Sequence, residues 1–236
     1  MAVGDSVLFE TLSLLSPIAC PGCGEADVSL CDDCRALFHS GPHEVTLAIR
    51  RELFGVPVLA CADYSGLARS VILGFKDHGH TRLASSFTRP LADALEPIYE
   101  RSPHATVVPV PSSWVGKLRR GVEPTQLLVR TLQRTPHHYR VESVLGRSLS
   151  PRALFSQPSK SLSRREKLTR KAPFVLTRAV EGKSVVLLDD VITTGSTVES
   201  CAAMIRRAGG EVVGVVALGA RIRQEASVSP HPENRG

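Results

Sequence analysis

Two adjacent carboxylates, Asp189 and Asp190, follow an apolar stretch that is typical of a buried strand. In an open α/β sheet, ligands bind beyond the carboxyl ends of the strands, and buried acids are costly there when nothing compensates them. The next residues supply hydroxyl groups, a glycine that permits close backbone approach and the N–H groups of a starting helix. They are Thr193, Thr194, Gly195, Ser196 and Thr197.

Acids beside a phosphate-binding loop are suited to a sugar phosphate. The hydroxyls of the sugar would bind to Asp189 and Asp190, and the phosphate would bind to the amides of residues 193–197. The alternative is an ordinary N-capped helix after a strand, which would explain the Ser and Thr residues but not two neighbouring acids. No Gly-x-Gly-x-x-Gly sequence opens a helix, so a dinucleotide site of that type is disfavoured.

Four of the six cysteines form two close pairs, Cys20 with Cys23 and Cys31 with Cys34. Four thiolates at this spacing can close tetrahedrally around a zinc ion, which would be structural because no ligand position stays open. The alternatives are a redox-active pair, disfavoured because neither pair opens a helix after a strand, and a chance cluster. Few residues separate the pairs, so we expect this segment, the cysteine knuckle (residues 20–34), to be attached to a larger domain.

Strands alternate with helices after the knuckle, which predicts a mostly parallel sheet flanked by helices. The hydrophobic periodicity predicts strands at 56–64, 106–110, 184–188 and 212–218, and helices at 67–75, 82–99, 127–132 and 197–207. Residues 144–163 have no periodicity and many Ser, Pro and Arg residues, as in a mobile loop that closes over a site.

Length and composition favour one main domain with a small addition. The 236 residues are 42% hydrophobic, which excludes a mainly disordered chain. We expect an N-terminal helix and the knuckle in residues 1–50, an α/β domain in 51–223 and a disordered tail in 224–236. No apolar run approaches the roughly 20 residues needed to span a bilayer, and no basic residue precedes Arg35. These features predict a cytoplasmic protein without membrane insertion.

Positive charge is concentrated in the main domain. Six of the 23 acids and none of the 29 Lys and Arg residues lie in residues 1–34, which leaves a net charge of +12 on residues 35–236. Such a charge favours a polyanionic partner, either a phosphorylated metabolite or nucleic acid. One basic cluster could bind single-stranded DNA, although only 5% of the residues are the aromatic types that such binding uses. Its members are Lys160, Arg164, Arg165, Lys167, Arg170 and Lys171.

The segment from Asp189 to Thr197 closely resembles the phosphoribosyl diphosphate (PRPP) loop of type I phosphoribosyltransferases. Together with the cysteine knuckle, it identifies the chain as similar to the ComF (competence protein F, GntX-like) family. The resemblance extends to further segments along most of the chain. These are Tyr64 with the downstream Lys76, Val108 to Pro111, Arg119 to Gly121, residues 157–174, and Gly209 to Arg221.

The resemblance implies a parallel sheet with a mobile hood and a protein that binds PRPP together with Mg²⁺. It implies that Asp189 and Asp190 hold the ribose hydroxyls and offset positive charge on the sugar ring, while Lys76 and Mg²⁺ neutralise the departing diphosphate. The family is associated with DNA uptake, so DNA-uptake proteins are expected partners. No residue stands out as a reader of the phosphoribosyl acceptor. A PRPP sensor without catalysis and a single-stranded-DNA-binding accessory therefore remain the alternatives to an enzyme.

Overall fold

A five-stranded sheet forms the centre of the part of the chain that the computed structural model describes. The described residues are 18–45, 53, 55–77, 80–112, 123–137, 139–147 and 174–221. In chain order the elements are α1 (Asp32–Ala36), β1 (His43–Glu44), β2 (Val58–Asp63), α2 (Gly66–Asp77), a 3-10 helix (Thr81–Phe87), α3 (Thr88–Tyr99), β3 (Thr106–Pro109), α4 (Pro124–Leu132), β4 (Leu145–Arg147), β5 (Phe174–Leu176), β6 (Ser184–Ile192), α5 (Ser196–Arg207) and β7 (Glu211–Ala220).

The sheet confirms the predicted α/β architecture. Its strand order is β1-β2-β7-β6-β3. The strands β2, β7, β6 and β3 run parallel to their neighbours, and β1 is an antiparallel edge strand beside β2. β4 and β5 form a separate antiparallel pair. The carboxyl ends of β6 and its two neighbours, β7 and β3, therefore meet at one edge of the main sheet.

Helices cover both faces of the sheet, so β6 is buried on each side. Val186 and Leu188 point into a core shared with α2, α3, α4 and the 3-10 helix. Val185 and Leu187 point into the opposite core, which includes Val198, Cys201 and Ile205 of α5. This continuous apolar run is what a strand buried on both faces requires. None of the helices in the described residues has the length and apolar character to cross a bilayer.

Some predicted elements differ from the structure. The single helix predicted at 82–99 is a 3-10 helix followed by the α-helix α3. Pro90 supplies no N–H group and restricts the backbone before it, which fits a start of regular α-helix at Thr88. Residues 145–147, predicted as loop, form β4, because three residues are too few to show an alternating pattern.

β6 is longer than predicted. The strand was expected at 184–188, with the two acids beyond its end, but it continues to Ile192. β7 keeps pairing with it, since Asp189 lies opposite Ala217 and Ile192 opposite Ala220. Both acids are therefore inside the strand. The expected N-terminal helix before residue 18, the loop at 148–163 and the tail at 224–236 lie outside the described residues.

Candidate functional site

The two acids of β6 point to opposite faces of the sheet, because successive side chains alternate along a strand. Asp190 follows the direction of Leu188 and faces α2, whereas Asp189 follows Leu187 and faces α5. Both are buried, with 8% and 4% of Asp189 and Asp190 exposed. The backbone N–H of Asp190 donates a hydrogen bond of 2.8 Å to Oδ1 of Asp189. The two acids are thus linked by a hydrogen bond, although their side chains face different helices.

Lys76, near the end of α2, neutralises Asp190. Its Nζ donates to Oδ1 of Asp190 at 2.7 Å. Burial alone would lower the pKa of the Lys76 ammonium group, but the charge of Asp190 outweighs burial and raises that pKa above its usual value. Lys76 consequently remains a cation at neutral pH. The predicted site residues Lys76 and Asp190 are therefore in direct contact.

Among the described residues, no cation forms such a direct ion pair with Asp189. Burial, reinforced by the charge of Asp190, raises its pKa to about 8, and Lys76 offsets only part of this effect. Its surroundings therefore disfavour the charged form of the Asp189 carboxyl group. A ligand that donates hydrogen bonds to a carboxylate, such as a sugar hydroxyl, would favour its ionised form.

Asp189 shares a small cup with the loop that follows β6. The cup encloses about 30 Å³ and is lined by Asp189, Val191, Ile192 and residues 193–198. Thr193, Thr194 and Ser196 are exposed on its rim. The structure thus brings Asp189 together with all five predicted loop residues. The pair of Lys76 and Asp190 lies on the opposite face of β6.

Gly195 shapes the loop at the start of α5. Its backbone is left-handed, with φ +82°, a conformation that strongly favours glycine. Gly195 is the N-cap of α5 and has no side chain, so it cannot accept a capping hydrogen bond from the N–H groups of the first turn. The hydroxyls of Thr194 and Ser196 lie 3.1 Å apart, and the Ser196 N–H reaches Thr194 Oγ1 at 3.4 Å. An anion at this helix N-terminus would find N–H groups and hydroxyls together.

One charged residue near the site was missed by the sequence analysis. Arg147, at the end of β4, is half-buried, and its Nε donates to the carbonyl oxygen of Pro111 at 3.4 Å. Its guanidinium carbon lies 4.8 Å from the ring centre of Phe174. The only available signal was an arginine in a region without periodicity, and nothing local links residue 147 to residue 189.

The four cysteines of the knuckle converge. Their Sγ atoms all lie within 4.8 Å of one another, and those of Cys23 and Cys31 are 3.5 Å apart. Tetrahedral Zn–S bonds of about 2.3 Å would place sulfurs about 3.8 Å apart. Cys31 also caps α1, whose first turn contains Asp32. The donor set and its spacing therefore fit a zinc ion.

The thiols of the knuckle are not equivalent without a metal. Burial alone would raise the pKa of Cys20, but backbone N–H groups, chiefly that of Cys31, lower it to about 6. The N–H of Cys34 favours the Cys31 thiolate, but burial and the neighbouring thiols outweigh it and raise the pKa of Cys31 to about 11. Burial raises the pKa of Cys34 well above its usual range. Four thiolates so close together need a cation to hold them.

The knuckle packs on α2, the helix that carries Lys76. A Cβ atom on Gly22 would lie 2.5 Å from Cys34 Sγ and 2.9 Å from Val71, and one on Gly74 would lie 2.6 Å from Pro21. Both glycines are therefore needed for this close approach. Phe38, which follows α1 and shares the core of the knuckle, also packs near α2, since the ring centre of Phe87 lies 5.1 Å from that of Phe38 and 5.4 Å from that of Phe75. The expected attachment to a larger domain is present.

The contact between Lys76 and Asp190 predicts a measurable coupling. In a double-mutant cycle of Lys76→Met and Asp190→Asn, we expect a coupling of about 1–3 kcal/mol in the free energy of unfolding, because each single variant leaves a buried group without its partner. Urea unfolding of the four proteins measures it. The exposed pair of Arg89 and Asp93, 2.9 Å apart, is the control and should couple by less than about 0.5 kcal/mol. Equal coupling in both cycles would contradict this account.

A protein-family model and a related protein both match this chain. Residues 115–232, half of the chain, match the phosphoribosyl transferase domain family. The DNA utilization protein YhgH of Escherichia coli (strain K12) is 31% identical over 166 residues, which are 68% of this chain and 70% of that protein.

Two solved structures were also found to be similar. An adenine phosphoribosyltransferase from Rhodothermus marinus is 19% identical, with 78% of this chain and 85% of that chain covered and a TM-score of 0.34. An allosteric regulatory enzyme of purine biosynthesis is 20% identical, with 74% of this chain but only 30% of that chain covered and a TM-score of 0.34. On the family match and the identity to YhgH, the chain belongs to the phosphoribosyl transferase domain family, in its ComF-type branch.

Proposed function

We propose that the chain binds PRPP together with Mg²⁺ at the carboxyl end of β6 and transfers the phosphoribosyl group to an acceptor. The observation that carries this proposal is the cup shared by Asp189 and residues 193–198. It combines an acid that can accept hydrogen bonds from sugar hydroxyls with a helix N-terminus that can bind a phosphate. Membership of the phosphoribosyl transferase domain family supports the same ligand.

Different residues of the site would bind different parts of the ligand. The loop 193–197 would hold the 5-phosphate through backbone N–H groups and hydroxyls, with Gly195 allowing the close approach. Asp189, in its ionised form, would accept a hydrogen bond from a ribose hydroxyl. Lys76 offsets the charge of Asp190 on the opposite face of β6, so Asp189 would be the acid that faces positive charge as it develops on the sugar ring. The reaction needs no side-chain nucleophile, because diphosphate leaves C1 with the bonding electrons and the acceptor supplies a new pair.

Mg²⁺ fits the donors at this edge of the sheet. It takes oxygen ligands, usually one or two carboxylates together with substrate phosphates and waters. Asp189 lines the cup and could contribute such an oxygen beside the bound ligand, whereas Asp190 is paired with Lys76 on the opposite face of β6. Bound Mg²⁺ would neutralise charge on the departing diphosphate.

We also propose that the cysteine knuckle holds a structural zinc ion. The supporting observation is that the four sulfurs converge within 4.8 Å of one another, a spacing that fits a tetrahedral zinc ion. The proposed division of the chain is a knuckle-containing segment, residues 1–50, and a phosphoribosyltransferase-like domain, residues 51–223. β1 lies in the first of these segments and pairs with β2 of the second.

A second candidate function is a DNA-linked accessory role, in which PRPP is sensed rather than consumed or the chain binds single-stranded DNA. It is favoured by the name of the E. coli relative, a DNA utilization protein, and by the positive charge of residues 35–236. The basic cluster at 160–171 lies outside the described residues. PRPP binding without turnover would favour the sensor, and DNA binding with a steep salt dependence would favour the accessory.

The proposed PRPP site predicts a specific loss of affinity in Gly195→Ala. The substitution strains a left-handed residue and places a methyl group where the phosphate approaches. PRPP affinity in the presence of Mg²⁺ should therefore fall about tenfold or more, a loss as large as that of one charged hydrogen bond. Isothermal titration calorimetry measures it. Gly182, also left-handed with φ +66°, is the matched control, and Gly182→Ala should bind PRPP like the parent. Equal affinities of both variants would place the phosphate elsewhere.

The proposed zinc site predicts about one zinc ion per purified chain and its loss in Cys31→Ser. The variant should also show faster amide exchange in α2, because the knuckle packs against that helix. Metal analysis and hydrogen exchange provide the measurements. Cys201→Ser is the control, since Cys201 is buried in the opposite core and should not affect zinc content. A parent protein without zinc, or a Cys31→Ser variant that retains it, would refute the site.

A further inference from the structure

A groove runs along the exposed face of α3 and is named the α3 groove here. It encloses about 670 Å³, and its second wall is the segment that follows α4, within residues 135–139. The lining residues of the helix recur every three or four positions from Thr88 to its C-cap, Glu100, so they share one face of α3. A cavity of this size is in the range that ligand sites occupy.

Two tyrosines line the α3 groove at the amino end of β3. The ring centres of Tyr99 and Tyr139 are 5.0 Å apart, with the rings edge to face. The Tyr99 hydroxyl donates to the carbonyl oxygen of Ala105 at 2.8 Å, and Ala105 directly precedes β3. The ring of the exposed His137 lies 5.8 Å from that of Tyr139. The groove is therefore at the opposite end of the parallel strands from the cup at Asp189.

The hydroxyl group of Tyr139 is unused by the fold. Tyr139 is 7% exposed, yet no described residue donates a hydrogen bond to its hydroxyl or accepts one from it. Burial raises the pKa of this hydroxyl, and the charges of Glu96 and Asp93 raise it further, so the hydroxyl faces the carboxylates that line the other wall. Buried polar groups in proteins are almost always paired. The missing partner of Tyr139 points to an occupant of the groove.

Negative charge lines the α3 groove, although the domain around it is positive. Asp93, Glu96 and Glu100 face the groove, and Arg89 is the one base of α3 that does so. Arg89 pairs with Asp93 at 2.9 Å, whereas Glu96 and Glu100 form no ion pair with any described residue. Residues 35–236 carry a net charge of +12. The groove is thus a local reversal of sign, which selects a cationic group.

A guanidinium group matches these features together. It is planar, stacks on aromatic rings and donates several hydrogen bonds in a fixed arrangement, so it can reach a hydroxyl oxygen and a carboxylate at once. The ammonium group of lysine is compact, strongly hydrated and without a planar face. A free polyamine would be repelled by the net charge of the domain, whereas an arginine carried by an acidic protein is attracted by both the domain and the groove.

We propose that the α3 groove binds an arginine side chain from an extended segment of an acidic partner protein. The guanidinium group donates to the Tyr139 hydroxyl oxygen and to the Glu96 carboxylate, and a second basic residue of the segment pairs with Glu100, one turn further along α3. This docking site is separate from the proposed PRPP site and does not depend on it, so the chain can hold PRPP and the partner together.

The test measures the fluorescence anisotropy of a labelled octapeptide of alternating glycine and arginine, added to the parent and to three variants. Tyr139→Phe should weaken binding about threefold or more, because it removes one hydrogen bond. Glu96→Gln combined with Glu100→Gln should weaken it about fivefold or more, because two ion pairs are lost. Glu211→Gln, which changes an exposed acid at the start of β7, is the matched control and should bind like the parent.

The melting temperature of Tyr139→Phe is the second measurement. Because the hydroxyl has no partner in the described fold, its removal should leave the melting temperature unchanged or raise it. A lower melting temperature would assign the hydroxyl to the fold and overturn the inference. An arginine peptide that does not bind the parent at millimolar concentration, or that binds all variants equally, would also overturn it.

Two further probes identify the occupant. An octapeptide of alternating glycine and lysine, and free spermine, should each bind the parent at least threefold more weakly than the arginine peptide. Equal binding of the lysine peptide would overturn the assignment to arginine. Tighter binding of spermine, lost in the variant of Glu96 and Glu100, would assign the groove to a small polyamine and overturn the proposal of a protein partner.

Discussion

The two carboxylates inside β6 are the constraint on which the arrangement of the site depends. A strand covered by helices on both faces has little water with which to solvate an acid, so each acid must find a cation, a proton or a ligand. Asp190 has Lys76 at 2.7 Å. Burial and the charge of Asp190 raise the pKa of Asp189, which disfavours its charged form. A ligand that donates hydrogen bonds to Asp189 would therefore favour its ionised form, while Lys76 continues to neutralise Asp190.

The cysteine knuckle contributes to this arrangement through packing. It lies far from β6 in sequence, but its cysteines share a core with Val71, Ile72 and Phe75 of α2. Lys76 follows Phe75 directly, so the position of its ammonium group depends on how firmly α2 is held. A metal that closes the knuckle would stabilise the helix surface on which it rests. A structural zinc ion, as proposed, would thus also support the geometry of the charged pair of Lys76 and Asp190.

The local motifs could be predicted from the sequence because their chemistry is encoded in neighbouring residues. The two cysteine pairs and the run from Thr193 to Thr197 are of this kind, and the alternation of apolar segments predicted the parallel sheet. The extension of β6 through both acids could not be predicted, because it depends on β7 continuing to pair beside it. The position of Arg147 depends on β4 following β3 from a distant part of the chain. Burial, opposite faces and long-range contacts are properties of the assembled sheet.

The central claim is that a sugar phosphate binds at the carboxyl end of β6, between Asp189 and the N-terminus of α5. A crystal structure of the chain with PRPP and Mg²⁺ tests it most directly. The account predicts the 5-phosphate within hydrogen-bonding distance of the backbone N–H groups of residues 194–197 and a ribose hydroxyl on Asp189. PRPP bound at any other part of the chain, with the cup at Asp189 holding only water, would contradict the claim.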